Sequence, residues 1–352
     1  MLRFGLFSVV DHYPSELGRT TADFYGELLE QVEAADALGF ESFWMAEHHF
    51  YEYGGVPRPP VWMAAAAMRT RRIRLGSAVV VLPFDNPLRT AEDYAMVDVL
   101  SAGRLDLGVG SGYLKHEYAG FNLDPEEKRA RFEEALEVLL RAWTGERFSY
   151  EGRYHQVRDV QLNVRPVQRP RPPIWVATLR ADGAPRIGAR GFPVMLIPYA
   201  SAESLAQMAE GVVGYRAAFV GAGGRPEAAT VPFGLHLHCA ESTEQARAEA
   251  RECMERYVRT RLYAVQRPFE TLVEQNVVVC SAIPRRSSGS PGCTKRRGSP
   301  ISSPSATSAA CPTSRCCARW SCSPGTCCRA SSPAATMRRV TSRPPSAPTA
   351  AP

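Results

Sequence analysis

Ser42-Phe43-Trp44-Met45-Ala46-Glu47-His48-His49-Phe50 is the stretch that decides the fold. Its first five residues make an apolar run of strand length, and Glu47-His48-His49-Phe50 closes that run ahead of a loop rich in Tyr, Gly and Pro. Two adjacent imidazoles beside a carboxylate, at the carboxyl end of a strand, mark the place where an α/β protein keeps its chemistry. On these residues alone two readings stand. In the first the quartet is reactive; in the second one imidazole faces outward, the other pairs with Glu47, and nothing reacts. The surroundings of the strand decide between them.

Strands and helices alternate on both sides of it. Upstream, Phe4 to Val10 reads as a buried strand. A helix follows over 21–38, with Phe24, Leu28, Leu29, Val32, Ala35 and Leu38 at helical spacing, Thr20 or Thr21 as cap and Gly39 as stop. Downstream come an Ala-rich helix around 60–70, a strand from Ile73 to Leu82, and a helix from Thr90 to Leu100. The strand Arg104 to Val109 then opens into Gly110-Ser111-Gly112-Tyr113, and a long loop reaches Asn122. A helix starting at Asp124-Pro125 buries Phe132, Leu136, Leu139, Leu140 and Trp143, and 146–165 is a hairpin excursion. The strand Ile174-Trp175-Val176-Ala177, a helix at 181–190, a strand from Phe192 to Ile197 and a helix over 202–220 follow. A strand from Val231 to His238 and a helix over 241–265 make the seventh β-then-α unit. This alternation predicts a parallel barrel or a doubly wound sheet, and no Gly-x-Gly-x-x-Gly follows the first strand to support a dinucleotide fold. A (β/α)8 TIM barrel needs one more unit.

Composition divides the chain into a body, 1–280, and a tail, 281–352. The formal charge is +6, but the tail holds 11 of the 42 Lys and Arg and none of the 36 Asp and Glu. The body therefore has 31 basic residues against 36 acidic ones, a net of −5, which gives no support to nucleic-acid or anionic-membrane binding. Of ten cysteines only Cys239, Cys253 and Cys280 lie in the body, so no disulfide framework is expected. The N-terminus has one basic residue in its first seven and no cleavage signature, and no apolar run is long enough to span a membrane. A cytoplasmic protein is the expectation.

At this point the residues resemble the bacterial luciferase-like, flavin-dependent monooxygenase family. The resemblance rests on Glu47-His48-His49-Phe50, Val81-Leu82-Pro83-Phe84-Asp85-Asn86-Pro87-Leu88-Arg89, Ala91-Glu92-Asp93, Asp98-Val99-Leu100-Ser101-Ala102-Gly103-Arg104, Gly108-Val109-Gly110-Ser111-Gly112-Tyr113 and Pro173-Ile174-Trp175-Val176-Ala177, in family order through about residue 280. It implies a (β/α)8 barrel binding reduced FMN at the carboxyl ends of its strands. It implies His48 as the catalytic base or proton donor beside the flavin, with Glu47 orienting it or shaping the pocket. Ala78 and Val79 match the strand end on which the flavin ring rests, and Ser111, Gly112 and Tyr113 match the loop after strand four. Two departures touch the cofactor. Ser111 stands where the family often has an Arg for the FMN phosphate, and Thr178-Leu179-Arg180 stands where it places acidic and hydroxyl residues. Arg180, near a helix N-terminus, is expected to neutralise the phosphate by another route. The resemblance also implies O2 as co-substrate, a separate flavin reductase and a homodimer. The substrate would be an aldehyde, ketone, alkane or sulfonate. Rival readings are a deazaflavin (F420)-dependent oxidoreductase on the same fold and a non-catalytic, decayed flavin-binding relative. His236 and His238 alternate on one strand face, a metal-capable spacing without a third ligand nearby, so no metal site is expected. Cys239, Trp44 and Trp175 read as core.

The tail carries neither helical nor strand period. It reads as a disordered basic segment, as a Cys-rich module without zinc-like spacing or any His, or as a shifted reading frame. In a frame slipped near Cys280, observed Cys, Trp and Ser mark lost apolar positions, and Cys316, Cys317, Trp320, Ser323, Cys327 and Cys328 fall at amphipathic-helix spacing. With GC-rich codons, Thr294 to Ser303 allow EAAGITHFL and Ser314 to Cys328 allow EQVLRSMELFARDVL, which together supply an eighth strand and helix. The frame reading is preferred. It carries the expectation that a barrel lacking that unit leaves the edges of strands one and seven unpaired.

Overall fold

The computed structural model describes residues 3–196, 205–261, 266–275 and 277–282. The strands in chain order are β1 (Gly5–Ser8), β2 (Ser42–Met45), β3 (Arg74–Ser77), β4 (Val80–Val81), β5 (Leu105–Gly110), a hairpin of β6 (Phe148–Glu151) and β7 (Gln156–Val160), β8 (Ile174–Ala177), β9 (Val194–Met195), β10 (His236–Ala240) and β11 (Val278–Ala282). Between them lie α1 (Pro14–Leu17), α2 (Thr21–Leu38), α3 (Pro59–Arg69), α4 (Pro87–Leu100), α5 (Lys115–Gly120), α6 (Lys128–Thr144), α7 (Ala184–Gly188), α8 (Leu205–Gly221), α9 (Thr243–Thr260) and α10 (Phe269–Glu274).

The main sheet runs β1-β2-β3-β5-β8-β9, all neighbours parallel, with β4 continuing the β3 position along β5. β3 and β4 are one barrel position interrupted at Ala78–Val79, whose peptide bond is cis. Leu196 bridges Phe233 in parallel, and β10 pairs with β11 in parallel register from His236↔Val278 to Ala240↔Ala282. The sheet curls. Trp44 on β2 and Trp175 on β8 are separated by two intervening strands, about 14 Å across a flat sheet, yet their rings meet edge to face at 5.8 Å. Gly76 on β3 lets Trp44 lie over it, since a Cβ there would sit 2.1 Å from the indole.

Local chemistry sets the elements. The Thr20 hydroxyl accepts the Asp23 N–H at 3.1 Å and the Asp23 carboxylate accepts the Thr20 N–H at 3.1 Å, a capping box that starts α2, while Gly39 at φ 87 ends it. Phe24, Leu28 and Val32 of α2 pack with Phe43 and Met45 of β2 and Trp62, Met63 and Ala66 of α3 in the layer between helices and sheet. Arg104 explains one of the sequence motifs. Its guanidinium donates to the carbonyls of Ala67, Thr70, Ile73 and Ser101, binding the end of α3 to the end of α4. Asp98, fully buried, accepts the N–H groups of Val167 and Gln168. These motif residues serve the scaffold.

Several expectations change. Leu38 is 62% exposed, outside the core face of α2. The seventh strand runs Ile- and Val-poor over His236–Ala240, later than Val231 to His238. The segment from Tyr113 to Asn122 contains α5, and α10 and β11 follow α9. Most consequentially, the edge of β10 is paired by β11, so the expectation of a bare seventh-strand edge is corrected. Among the described residues no strand pairs with the outer edge of β1, but Phe7 and Val9 pack in one cluster with Val278 and Cys280. Ile197, residues 202–204, residues 262–265 and the whole candidate eighth unit lie outside the described residues. Among the described residues no helix is long and apolar enough to cross a membrane.

Candidate active site

Because β2, β3, β5 and β8 are parallel neighbours, their carboxyl ends share one rim. That rim holds the expected catalytic and cofactor-binding residues: Glu47 and His48 after β2, Ala78 and Val79 between β3 and β4, Ser111, Gly112 and Tyr113 after β5, and Thr178 and Arg180 after β8.

The two histidines follow β2 and meet different carboxylates. His49 Nε2 lies 3.3 Å from Glu47 Oε1, in a cavity of about 330 Å³ that Phe50, Arg58, Phe84, Tyr94 and Phe121 also line. Burial pushes the Glu47 carboxyl above its ordinary range, against the pull of His49. His48 faces elsewhere. Its Nδ1 lies 3.2 Å from Glu117 Oε1, an oxygen that also accepts the His49 N–H at 2.8 Å. The expectation that Glu47 orients His48 is therefore corrected: Glu47 serves His49, and Glu117, 1% exposed on α5, holds His48. A carboxylate only accepts, so Nδ1 carries the proton and Nε2 of the neutral ring keeps its lone pair. The non-reactive pairing considered at the outset describes His49 and not His48. Glu117 could have been suspected only as an acidic residue in the loop after strand four.

The Tyr53 ring meets His48 edge to face at 5.0 Å. Behind it, Arg261 lies between the rings of Tyr53 and Tyr257, 4.3 Å from each, and pairs with buried Asp11. Tyr13 donates to Asp11 at 3.0 Å and shares a 2.8 Å hydrogen bond with Thr260.

The break between β3 and β4 leaves an open ledge. Ser77 and Val80 are buried, 0% and 4% exposed, while Ala78 and Val79 between them are partly open to solvent. Gly108 of β5 makes room beside it, since a Cβ there would fall 2.0 Å from the Ser77 carbonyl oxygen. In the loop after β5 the Tyr118 hydroxyl donates to the Ser111 carbonyl, Gly112 takes φ 70, and Tyr113 is 47% exposed. After β8 the Thr178 hydroxyl accepts the Arg180 N–H at 3.2 Å, while the exposed Arg180 guanidinium grips Asp182 through two contacts of 3.0 and 2.6 Å. His236 meets Tyr257 edge to face at 4.7 Å and His238 pairs with Glu249 at 2.9 Å, both against α9.

Comparison with known proteins agrees with this geometry. The family model described as luciferase-like monooxygenase matches residues 2–277. The 4-hydroxyprotoasukamycin monooxygenase of Streptomyces nodosus subsp. asukaensis is 31% identical over 268 residues, 74% of this chain and 71% of that protein. The oxygenase component of flavin-dependent trigonelline monooxygenase from Acinetobacter baylyi is 32% identical over 178 residues, 50% of this chain and 49% of its own. The chain spans about half the length of several of its curated relatives. F420-dependent glucose-6-phosphate dehydrogenases match as well, that of Amycolatopsis mediterranei at 32% over 168 residues, 45% of this chain and 50% of its own. Among solved structures, the monooxygenase RslO1 from Streptomyces bottropensis superposes with a TM-score of 0.73 at 33% identity, covering 80% of this chain and 85% of that one. With a parallel α/β barrel framework, a rim of the expected residues and relatives that are flavin- or deazaflavin-dependent oxidoreductases, the chain belongs to the luciferase-like monooxygenase family.

Proposed function

We propose that the chain is the oxygenase component of a two-component monooxygenase, taking reduced FMN from a separate reductase and using O2 to oxygenate a small organic substrate. The observation that carries this reading is the His48–Glu117 pair standing on the same rim as the open Ala78–Val79 ledge. Bound reduced flavin would supply the electrons that activate O2. The chain does the rest. Ala78 and Val79 receive the ring, with Tyr113 beside them. The turn Ser111-Gly112 and the hydroxyl of Thr178 would hold the ribityl phosphate arm, and Arg180, now on Asp182, would supply the cation that Ser111 lacks. Glu117 fixes the His48 tautomer, so Nε2 accepts a proton when neutral and returns it when charged. Glu47 holds His49 and shapes the wall of the neighbouring cavity.

Exposed side chains support a homodimer. Val61 and Met68 on α3, each 70% exposed, and Met96 on α4, 51% exposed, leave apolar surface on these helices. The relatives favour one second reading, an F420-dependent oxidoreductase on the same rim. Anaerobic titration with reduced FMN and with reduced F420, followed by mixing with O2, separates them. Saturable FMN binding and oxygen-dependent reoxidation support the proposal; tighter F420 binding with no reaction toward O2 overturns it.

A further inference from the structure

Among the described residues around His48, one buried group without a hydrogen-bond partner bears on the substrate. Arg261 donates through Nη2 to Asp11, Asp11 also accepts from Tyr13, and Glu117 serves His48 and the His49 N–H. Tyr53 is 1% exposed, and its hydroxyl is buried without a hydrogen-bond partner. Leaving such a donor unmade costs about 1–3 kcal/mol, and native proteins keep unpaired polar groups of this kind mainly where a ligand or water completes them. Burial also holds this hydroxyl in its protonated, donating form, well above the ordinary tyrosine range.

Its neighbourhood is aromatic. The Tyr51 ring lies 4.8 Å from that of Tyr53, and Tyr51 and Tyr113 are 41% and 47% exposed. Exposed rings change rotamer readily, so they open to an incoming molecule and then offer it flat apolar faces. Charge points the same way. Among the described residues two buried carboxyl groups, Asp11 and Glu117, stand near His48 against one buried guanidinium, Arg261, whose Nη2 donates to Asp11, a balance that disfavours a further anion.

We propose that the site takes a neutral, ring-bearing organic substrate with an oxygen acceptor, and that Tyr53 Oη–H donates to that oxygen beside His48. The proposal deepens the oxygenase reading and rests on it for the role of His48, while substrate selection is read from binding alone. It removes sulfonates and sugar phosphates from the candidate substrates.

The test is calorimetric binding to the full chain, flavin-free and again with FMN added, using acetophenone, ethylbenzene, octanesulfonate and glucose 6-phosphate as probes. Acetophenone should bind about tenfold more tightly than ethylbenzene, the increment of one hydrogen bond. Tyr53→Phe, which keeps the ring against His48 and Arg261, should erase that difference and leave ethylbenzene affinity and circular dichroism unchanged. Binding of either anion more tightly than acetophenone overturns the proposal. So does an unchanged ratio in Tyr53→Phe, or no binding of either neutral probe. Failure of FMN to bind would instead count against the oxygenase reading, and the flavin-free measurements would still stand.

Discussion

His48 owes its position to a carboxylate 69 residues further along the chain. Glu117→Leu removes the acceptor of the His49 N–H together with the partner of His48 Nδ1, and should cost about 1–3 kcal/mol of stability. Glu117→Gln keeps an acceptor oxygen and should fold nearly normally, while reoxidation turnover falls about tenfold or more because the negative charge that stabilises a protonated His48 is lost. Denaturant midpoints and turnover measured on both variants check this; equal effects from the two would contradict it. Glu47 gives a pH prediction. Its folded pKa is raised by burial, so the stability it lends is complete below the ordinary carboxylate value and is lost as pH rises through the raised one. Glu47→Gln should therefore gain stability relative to the parent as pH rises above the ordinary carboxylate range, and parallel stability curves would refute it. For Arg180, whose guanidinium already has Asp182, Arg180→Ala should weaken FMN binding about tenfold; unchanged affinity removes it from the phosphate site. At this scale Glu47-His48-His49-Phe50 marked the strand end where the two imidazoles stand, but not which carboxylate serves which ring. Glu117 lies on a helix of six residues without a side-chain cap, too short to show a period, and its contact exists only once β2 and β5 lie in one sheet.

Elements with a cap, a stop and several turns were readable, and short ones were not. Thr20, the apolar spacing and Gly39 delimit α2 at its observed bounds. By contrast α10 has six residues, and β11 straddles the change in composition at residue 280, where Val277 to Val279 supply apolar character but no alternation. The strand expected from Ile73 to Leu82 is present as β3 and β4, broken at the pair expected to carry the flavin ring. The close approach of β3 and β5 beside that break depends on Gly108. Gly108→Ala places a methyl group against the Ser77 carbonyl and should destabilise by more than about 2 kcal/mol while abolishing FMN retention. Thermal denaturation and flavin content after gel filtration measure both; a variant as stable and as yellow as the parent would show that the strands can part.

Across the whole molecule the ends of the described body meet. Arg261 and Thr260 at the end of α9 reach Asp11 and Tyr13 beyond β1, and Arg256 and Arg259 reach Glu16 on α1. These contacts clasp the seventh unit to the first, where β11 pairs only β10 among the described strands. Breaking the buried pair with Arg261→Met strands Asp11 and should cost about 3–5 kcal/mol. The proposed slipped frame belongs to this scale too. Sequencing the coding DNA across codons 276–300 tests it directly, and a protein with the restored frame should melt higher and hold FMN longer than the chain as it stands. The account stands or falls on the chemistry at His48. The most direct measurement is stopped-flow reoxidation of enzyme-bound reduced FMN on mixing with O2, comparing the parent with His48→Ala at equal flavin occupancy. An altered course of reoxidation, with oxygenated product formed by the parent and lost in His48→Ala, is the predicted result. Identical traces and identical product from the two proteins would contradict it.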